Sequence, residues 1–110
     1  MQYLLLIYEN EQRYSKGYPA DEMAGYQAFG KDYAGAIKGG NAVKPTGTAT
    51  TVRVRDGKTV TTDGPFAETK EQLGGYYLVE AKDQKEAVAM AAKIPGARSG
   101  SVEVRPILTF

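Results

Sequence analysis

The sequence predicts an α+β fold, a ferredoxin-like antiparallel sheet with two helices on one face. Three observations carry that prediction. Apolar runs of period two alternate with stretches of helical period, in the order strand, helix, hairpin, strand, helix, strand. The first strand is apolar on both faces, which puts it in the middle of a sheet. The 110 residues, 42% apolar and 25% charged with a net charge of +1, suit one globular domain over 1–110.

Tyr3 to Tyr8 reads as the first strand, with Tyr3, Leu5 and Ile7 on one face and Leu4, Leu6 and Tyr8 on the other. Glu9 to Gly17 is polar and rich in turn residues, so it reads as a loop. Asp21, with Pro19 just ahead, is the expected N-cap of a helix. Met23, Tyr26, Phe29 or Gly30, Tyr33 and Ile37 follow at helical spacing, and Gly39-Gly40 closes the helix. Gly25, Gly30 and Gly35 lie five apart inside it and share no face, so no single packing seam explains them.

Thr50 to Arg55 alternates Val52 and Val54 against Arg53 and Arg55, and Asp56-Gly57 turns it into Lys58 to Thr62. A three-residue turn with Gly57 left-handed pairs Val52 with Val60 and collects the valines on one face. That is the expected register. Gly75 to Ala81 is the next strand, with Tyr77, Val79 and Ala81 opposed by Tyr76, Leu78 and Glu80. Asp83 and Glu86 form a capping box for a helix reaching about Lys93, with Ala87, Val88, Ala91 and Ile94 as its buried stripe. Pro95-Gly96 stops it, and Val102 to Leu108 is the last strand.

Two helices cover only one side of such a sheet. The other side bares an apolar row from the first strand and an aromatic row from the strand at 75–81, a patch that monomers rarely leave open. Pairing sheet against sheet about a two-fold axis covers it, so a homodimer is expected.

The chain has no His and no Cys. Ser-His-Asp and Cys-His nucleophiles, disulfides, and ordinary zinc, haem or iron–sulfur ligation are therefore excluded within it. No dense acidic cluster calls for a hard cation, and no cofactor is indicated. Chemistry is left to carboxylates, Lys, Arg, Tyr, Ser, Thr and backbone amides. The longest wholly apolar run, Leu4 to Ile7, falls far short of the ~20 residues that cross a bilayer. With no signal-peptide pattern and no Lys/Arg block, the expectation is a cytoplasmic protein that binds neither membrane nor nucleic acid.

The least ordinary stretch is Asp63-Gly64-Pro65-Phe66-Ala67-Glu68-Thr69-Lys70-Glu71. Asp63, Gly64 and Pro65 are turn residues, Phe66 is expected to anchor the loop by burial, and charge gathers just beyond it. Turn chemistry alone accounts for this pattern. The functional reading makes it the rim of a cleft, with Asp63 as base or polar anchor and Phe66, Glu68 and Lys70 beside it. Tyr8 and Tyr76 would supply walls and hydroxyl donors, and Arg105 an ion pair or anion contact. Core or dimer packing is the first reading of the two tyrosines, ahead of a site role, and Arg105 has a plainer reading as a solvated or interface pair with Glu103.

Asp63 to Tyr76 (DGPFAETKEQLGGY) closely resembles the signature of the DGPF group of the YCII-related family. The opening MQYLLLIYENE and the closing Ser101 to Ile107 (SVEVRPI) resemble that group's ends. The resemblance implies a ferredoxin-like fold in a dimeric α/β barrel and assigns no reaction. The His-Asp pair suggested as catalytic in some relatives has no counterpart in a chain without His. Members of the group are often encoded beside, or fused to, extracytoplasmic-function sigma factors, which implies a sigma factor as a regulatory partner. Two functional readings follow. One is a homodimer with a small-molecule cleft, open to enzymatic use, near the DGPF loop; the other is a non-catalytic regulatory or interaction module.

Overall fold

A computed structural model describes all of residues 1–110. The first strand, β1 (Gln2–Glu9), keeps strict alternation: Tyr3, Leu5, Ile7 and Glu9 are buried, while Leu4, Leu6 and Tyr8 are half-buried. Then come α1 (Ala20–Asp32), β2 (Ile37–Ala42), β3 (Thr50–Arg55) and β4 (Lys58–Asp63). β5 (Gln72–Glu80), α2 (Gln84–Ala91), a one-turn α3 (Gly96–Ser99) and β6 (Ser101–Pro106) complete the chain. The main sheet runs β2-β5-β1-β6, antiparallel throughout, while β3 and β4 form a separate two-stranded sheet. Without that hairpin the order β1-α1-β2-β5-α2-β6 is the ferredoxin-like α+β arrangement, with a short third helix added.

One apolar core lies between the sheet and the helices. Tyr3, Leu5, Ile7 and Val79 meet Phe29 of α1 and Ala87, Met90 and Ala91 of α2, with Ile94 beyond the last helix turn. The Phe29 ring centre is 4.9 Å from that of Tyr77 and 5.0 Å from that of Tyr33. Burying each of the larger side chains stabilises the fold by about 1.5–3 kcal/mol. No helix is long and apolar enough to cross a membrane.

Four expectations are corrected. The helix begins at Ala20 with Pro19 at the cap position, so Asp21 stands in the first turn and makes no capping hydrogen bond. It ends at Asp32, and Gly39-Gly40 lies inside β2, where Ile37 pairs with Val79 and Gly40 with Tyr77. Helical hydrogen bonding lingers as far as the Ile37 N–H on the Tyr33 carbonyl, which is why the spacing carried so far. Beyond it, pairing with the open edge of β5 satisfies more backbone groups than another turn of a glycine-rich helix. In α2 the buried stripe is Ala87, Met90, Ala91 and Ile94, the true i, i+3, i+4, i+7 set, and Val88 is exposed. The Asp83 cap holds as expected, its side chain accepting the Glu86 N–H at 2.9 Å.

The fourth correction concerns the hairpin. β3 and β4 turn through two residues, pairing Arg55 with Lys58 and Arg53 with Val60. Asp56 and Gly57 both have positive φ (51° and 73°), the signature of a type I′ turn. Val52 thus faces Thr61 rather than Val60. The argument for the other register needed one face to be buried, and nearly every residue of the arm is exposed, all its valines included. The radius of gyration, 15.7 Å, exceeds the ~13 Å of a compact chain this long, as an arm standing off the body requires. Gly57→Val places a branched residue in the left-handed region at about 1–2 kcal/mol. Its expected result is loss of cross-strand NOEs between Arg53 and Val60 with an unchanged global unfolding midpoint. Persistence of those NOEs would reject the turn.

Candidate functional site

The in-facing row of β1 ends on a charge. Glu9 is 5% exposed, and its carboxylate gathers donors from three other parts of the chain. A 3₁₀ turn at Glu11–Tyr14, capped by the Asn10 side chain on the Gln12 N–H, folds the following residues back over it. Arg13 Nη1 then donates to Glu9 Oε2 at 2.9 Å, and the Tyr14 hydroxyl donates to the same oxygen. Ser99 Oγ, at the end of α3, donates to it at 2.9 Å, and the Tyr26 hydroxyl of α1 donates to Oε1 at 3.4 Å. Gly96 permits this approach, since a Cβ there would lie 2.6 Å from Glu9 Oε1 and 3.0 Å from the Tyr26 hydroxyl.

Arg13 reaches a second carboxylate. Its Nη2 donates to Glu22 Oε1 at 2.8 Å, while Glu22 Oε2 is buried with no partner. The hydrogen bond to Glu22, reinforced by the charges of Glu22 and Glu9, holds the guanidinium above its ordinary value. Burial, and then the negative charge of Glu9, pushes the Tyr26 phenol well above 10.0. Tyr18 is raised by burial and then by Glu9 and Glu22, and Tyr77 by burial. These phenols stay neutral donors at any physiological pH.

A cavity of about 810 Å³ opens beside this cluster, between the end of β1, the start of α1, β2 and β5. Its walls include Tyr14, Tyr18, Tyr26, Tyr76 and Tyr77, with Met23 and Val43 adding apolar surface. The Tyr14 and Tyr18 rings stack with centres 4.2 Å apart. Glu11, also in the wall, accepts from the Thr46 N–H at 3.0 Å and the Thr46 hydroxyl at 2.5 Å. Gln72 accepts the Glu11 N–H at 3.0 Å and so ties that wall to β5. The site can therefore offer a fixed carboxylate acceptor and neutral phenol donors inside an aromatic enclosure.

The three raised tyrosines carry a pH signature. Each keeps its proton to higher pH when folded than when unfolded, so the stability it carries is complete below pH 10.0 and is lost as pH rises beyond. The urea midpoint is expected to be flat below about pH 9 and to fall above about pH 10. Tyr26→Phe should flatten that fall. An unaltered slope in that variant would contradict the assignment.

The residues singled out in sequence do not form one site: Tyr8, Lys70 and, through Glu103, Arg105 gather at one cleft, while Asp63, Phe66, Glu68 and Tyr76 lie outside it. Asp63 is the exposed last residue of β4, and Glu68 is exposed without an ion-pair partner. Phe66 is 82% exposed, which corrects the expectation that it anchors the loop by burial. The loop is held instead by backbone and hydroxyl contacts: Gly64 N–H donates to the Ala49 carbonyl at 2.7 Å, and Thr51 Oγ1 to the Gly64 carbonyl at 2.8 Å. Tyr8 and Lys70 line a shallower cleft of about 590 Å³ at the end of the sheet, with Glu71, Ser101 and Glu103. Arg105 pairs with Glu103 on the surface. Tyr76 alone of the set lines the larger cavity, and its hydroxyl accepts from Asn41 Nδ2 at 3.0 Å. We build on the larger, more enclosed cavity because a buried carboxylate lies in its wall. Glu9 was the residue sequence reasoning missed, and its signal was the unbroken alternation Tyr3, Leu5, Ile7, Glu9.

Comparison with known proteins adds three findings. The YCII-related domain pattern matches residues 1–110. An uncharacterized protein of Rhizobium meliloti (strain 1021) is 38% identical over 117 residues, spanning 100% of this chain and 94% of that protein. Among solved structures, the fold is similar to 5-chloro-2-hydroxyhydroquinone dehydrochlorinase from Burkholderia phenoliruptrix AC1100, solved in complex with 2,5-dihydroxybenzoquinone. The TM-score is 0.59 at 14% identity, over 98% of this chain and 94% of the other, a likeness of fold alone.

Proposed function

The chain belongs to the YCII-related domain family, and from that premise we propose a homodimeric small-molecule-binding protein whose site is the cavity beside Glu9. The observation that carries this reading is a buried carboxylate, held by four donors, in the wall of an aromatic cavity of about 810 Å³. Enclosures of that size, mostly apolar with a few convergent polar groups, suit small organic ligands. A protein of similar fold, the dehydrochlorinase, holds 2,5-dihydroxybenzoquinone, which is in keeping with such a role. Glu9 would orient the ligand by accepting a hydrogen bond at Oε1, and the Tyr18 and Tyr77 hydroxyls, which have no hydrogen-bond partner within the chain, would donate to it. Any proton moved in the cavity would pass between these groups and the ligand.

The homodimer is supported by the open side of the sheet. Leu4, Leu6, Tyr8, Tyr76 and Leu78 all stand half-buried there, with no helix over them. A second copy brings the same patch and covers it.

The site reading is tested by NMR titration with small aromatic alcohols, amines and acids. Expected are shifts centred on Tyr14, Tyr18, Tyr26 and Tyr77. Shifts confined to the cleft of Tyr8, Lys70 and Glu103 would move the site to the other face. A second reading, an interaction module serving a sigma factor, is favoured by the bare arm and by Phe66, 82% exposed. Co-purification with a co-expressed extracytoplasmic-function sigma factor, lost on Phe66→Ser, would establish it.

A further inference from the structure

The cavity's own chemistry narrows its ligand, a step that rests on the binding reading above. We propose that it takes an organic cation, an ammonium group carried on a small apolar or aromatic body. Four of the chain's eight tyrosines, Tyr14, Tyr18, Tyr26 and Tyr77, present their rings to this one cavity, while Tyr76 turns its ring to the opposite face of the sheet. Aromatic faces attract a cation brought within about 6 Å of the ring centre, and the attraction strengthens as water is excluded.

The charge count points the same way. Glu9 and Glu11 lie in the wall, against the single cation Lys44. Arg13 does not close the balance, because its one guanidinium is divided between Glu9 and Glu22. Glu11 is held by the neutral donors of Thr46 and has no cation within 4.0 Å, and Lys44 pairs with no carboxylate. With Arg13 and Glu22 counted behind the wall, three carboxylates face two cations, which leaves one negative charge unmatched, and in the wall itself Glu11 is the carboxylate without a cation. The molecule already binds one cation by this chemistry: the Arg13 guanidinium lies 5.2 Å from the Tyr14 ring centre and donates to Glu9. An anion would meet the two wall carboxylates, and a neutral ligand would gain the aromatic walls alone.

Three probes sharing one ring and chain decide the matter: tyramine, tyrosol and 4-hydroxyphenylacetate, ending in ammonium, hydroxyl and carboxylate. In NMR titrations tyramine is expected to bind about tenfold more tightly than tyrosol, and 4-hydroxyphenylacetate more weakly than both. Glu11→Gln, at a half-exposed position whose removal should leave the fold intact, is expected to erase most of that preference. Equal binding of tyramine and tyrosol, or tighter binding of the acid, overturns the cation assignment and leaves the cavity reading standing. A preference unchanged in Glu11→Gln overturns it as well. Failure of all three probes to shift cavity resonances at millimolar concentration overturns the cavity reading itself.

Discussion

Glu9→Leu is expected to lower the stability of the fold by about 2–4 kcal/mol and to abolish ligand binding in the cavity. The carboxylate joins the end of β1 to the 3₁₀ turn, α1 and α3, through Arg13, Tyr14, Tyr26 and Ser99. Removing one partner of a buried ion pair costs about 3–5 kcal/mol when the other charge is stranded. Here the stranding is partial. Arg13 keeps 37% of its side chain exposed and its second arm on Glu22, so it can turn to water. The hydroxyls of Tyr26 and Ser99 are less free and account for much of the remaining loss. Glu9→Gln keeps the size and one acceptor oxygen, and about half the loss is expected of it. Urea denaturation followed by tyrosine fluorescence measures both variants, since the chain has no Trp. A Glu9→Leu protein within about 0.5 kcal/mol of the wild type would mean that the cluster is surface decoration, and the site would lose its anchor.

Much of the frame was legible because local rules and burial agreed. β1 alternates as a half-buried strand must, and the Asp83–Glu86 cap forms where the sequence places it. β2 was illegible because Lys38-Gly39-Gly40-Asn41 carries no alternating apolar row. It is a strand because β5 needs an edge partner and because Gly40 lets the backbones close up: a Cβ there would lie 2.9 Å from the Tyr77 ring. The hairpin register went the other way because a rule based on burying one face is silent about an arm that buries neither. Asp56 and Gly57, both able to take positive φ, decide it instead. The site was half legible. Glu9 continues the inner row of β1, but its polar successors made it read as the start of a loop. Its donors include Ser99, ninety residues away, a meeting that no local pattern announces. Phe66 drew attention as an aromatic expected inside, yet it stands in solvent.

Leu5→Asp and Leu6→Asp, adjacent on one strand, are expected to give opposite results: an unfolded chain and a folded monomer. Leu5 is fully buried beneath the helices, 0% exposed, in the core with Val79. A carboxylate there loses its water without gaining a partner, a cost of several kcal/mol that consumes most of the roughly 5–15 kcal/mol stabilising a domain. Leu6 points the other way, half-buried on the open face, opposite Tyr76 on β5 and Glu103 on β6. In a single chain an Asp at 6 reaches water, and its nearness to Glu103 costs only about 0.2–1 kcal/mol. Against a second copy the same charge is buried twice over, once in each protomer, and the interface does not survive it. Leu6→Lys, with Glu103 opposite, removes the like-charge term and should give the same monomer with less loss of stability. Circular dichroism reports the fold and light scattering after gel filtration the mass. A dimer that persists in both Leu6 variants would place the partner elsewhere on the molecule, with the bare β3–β4 arm the next surface to disrupt.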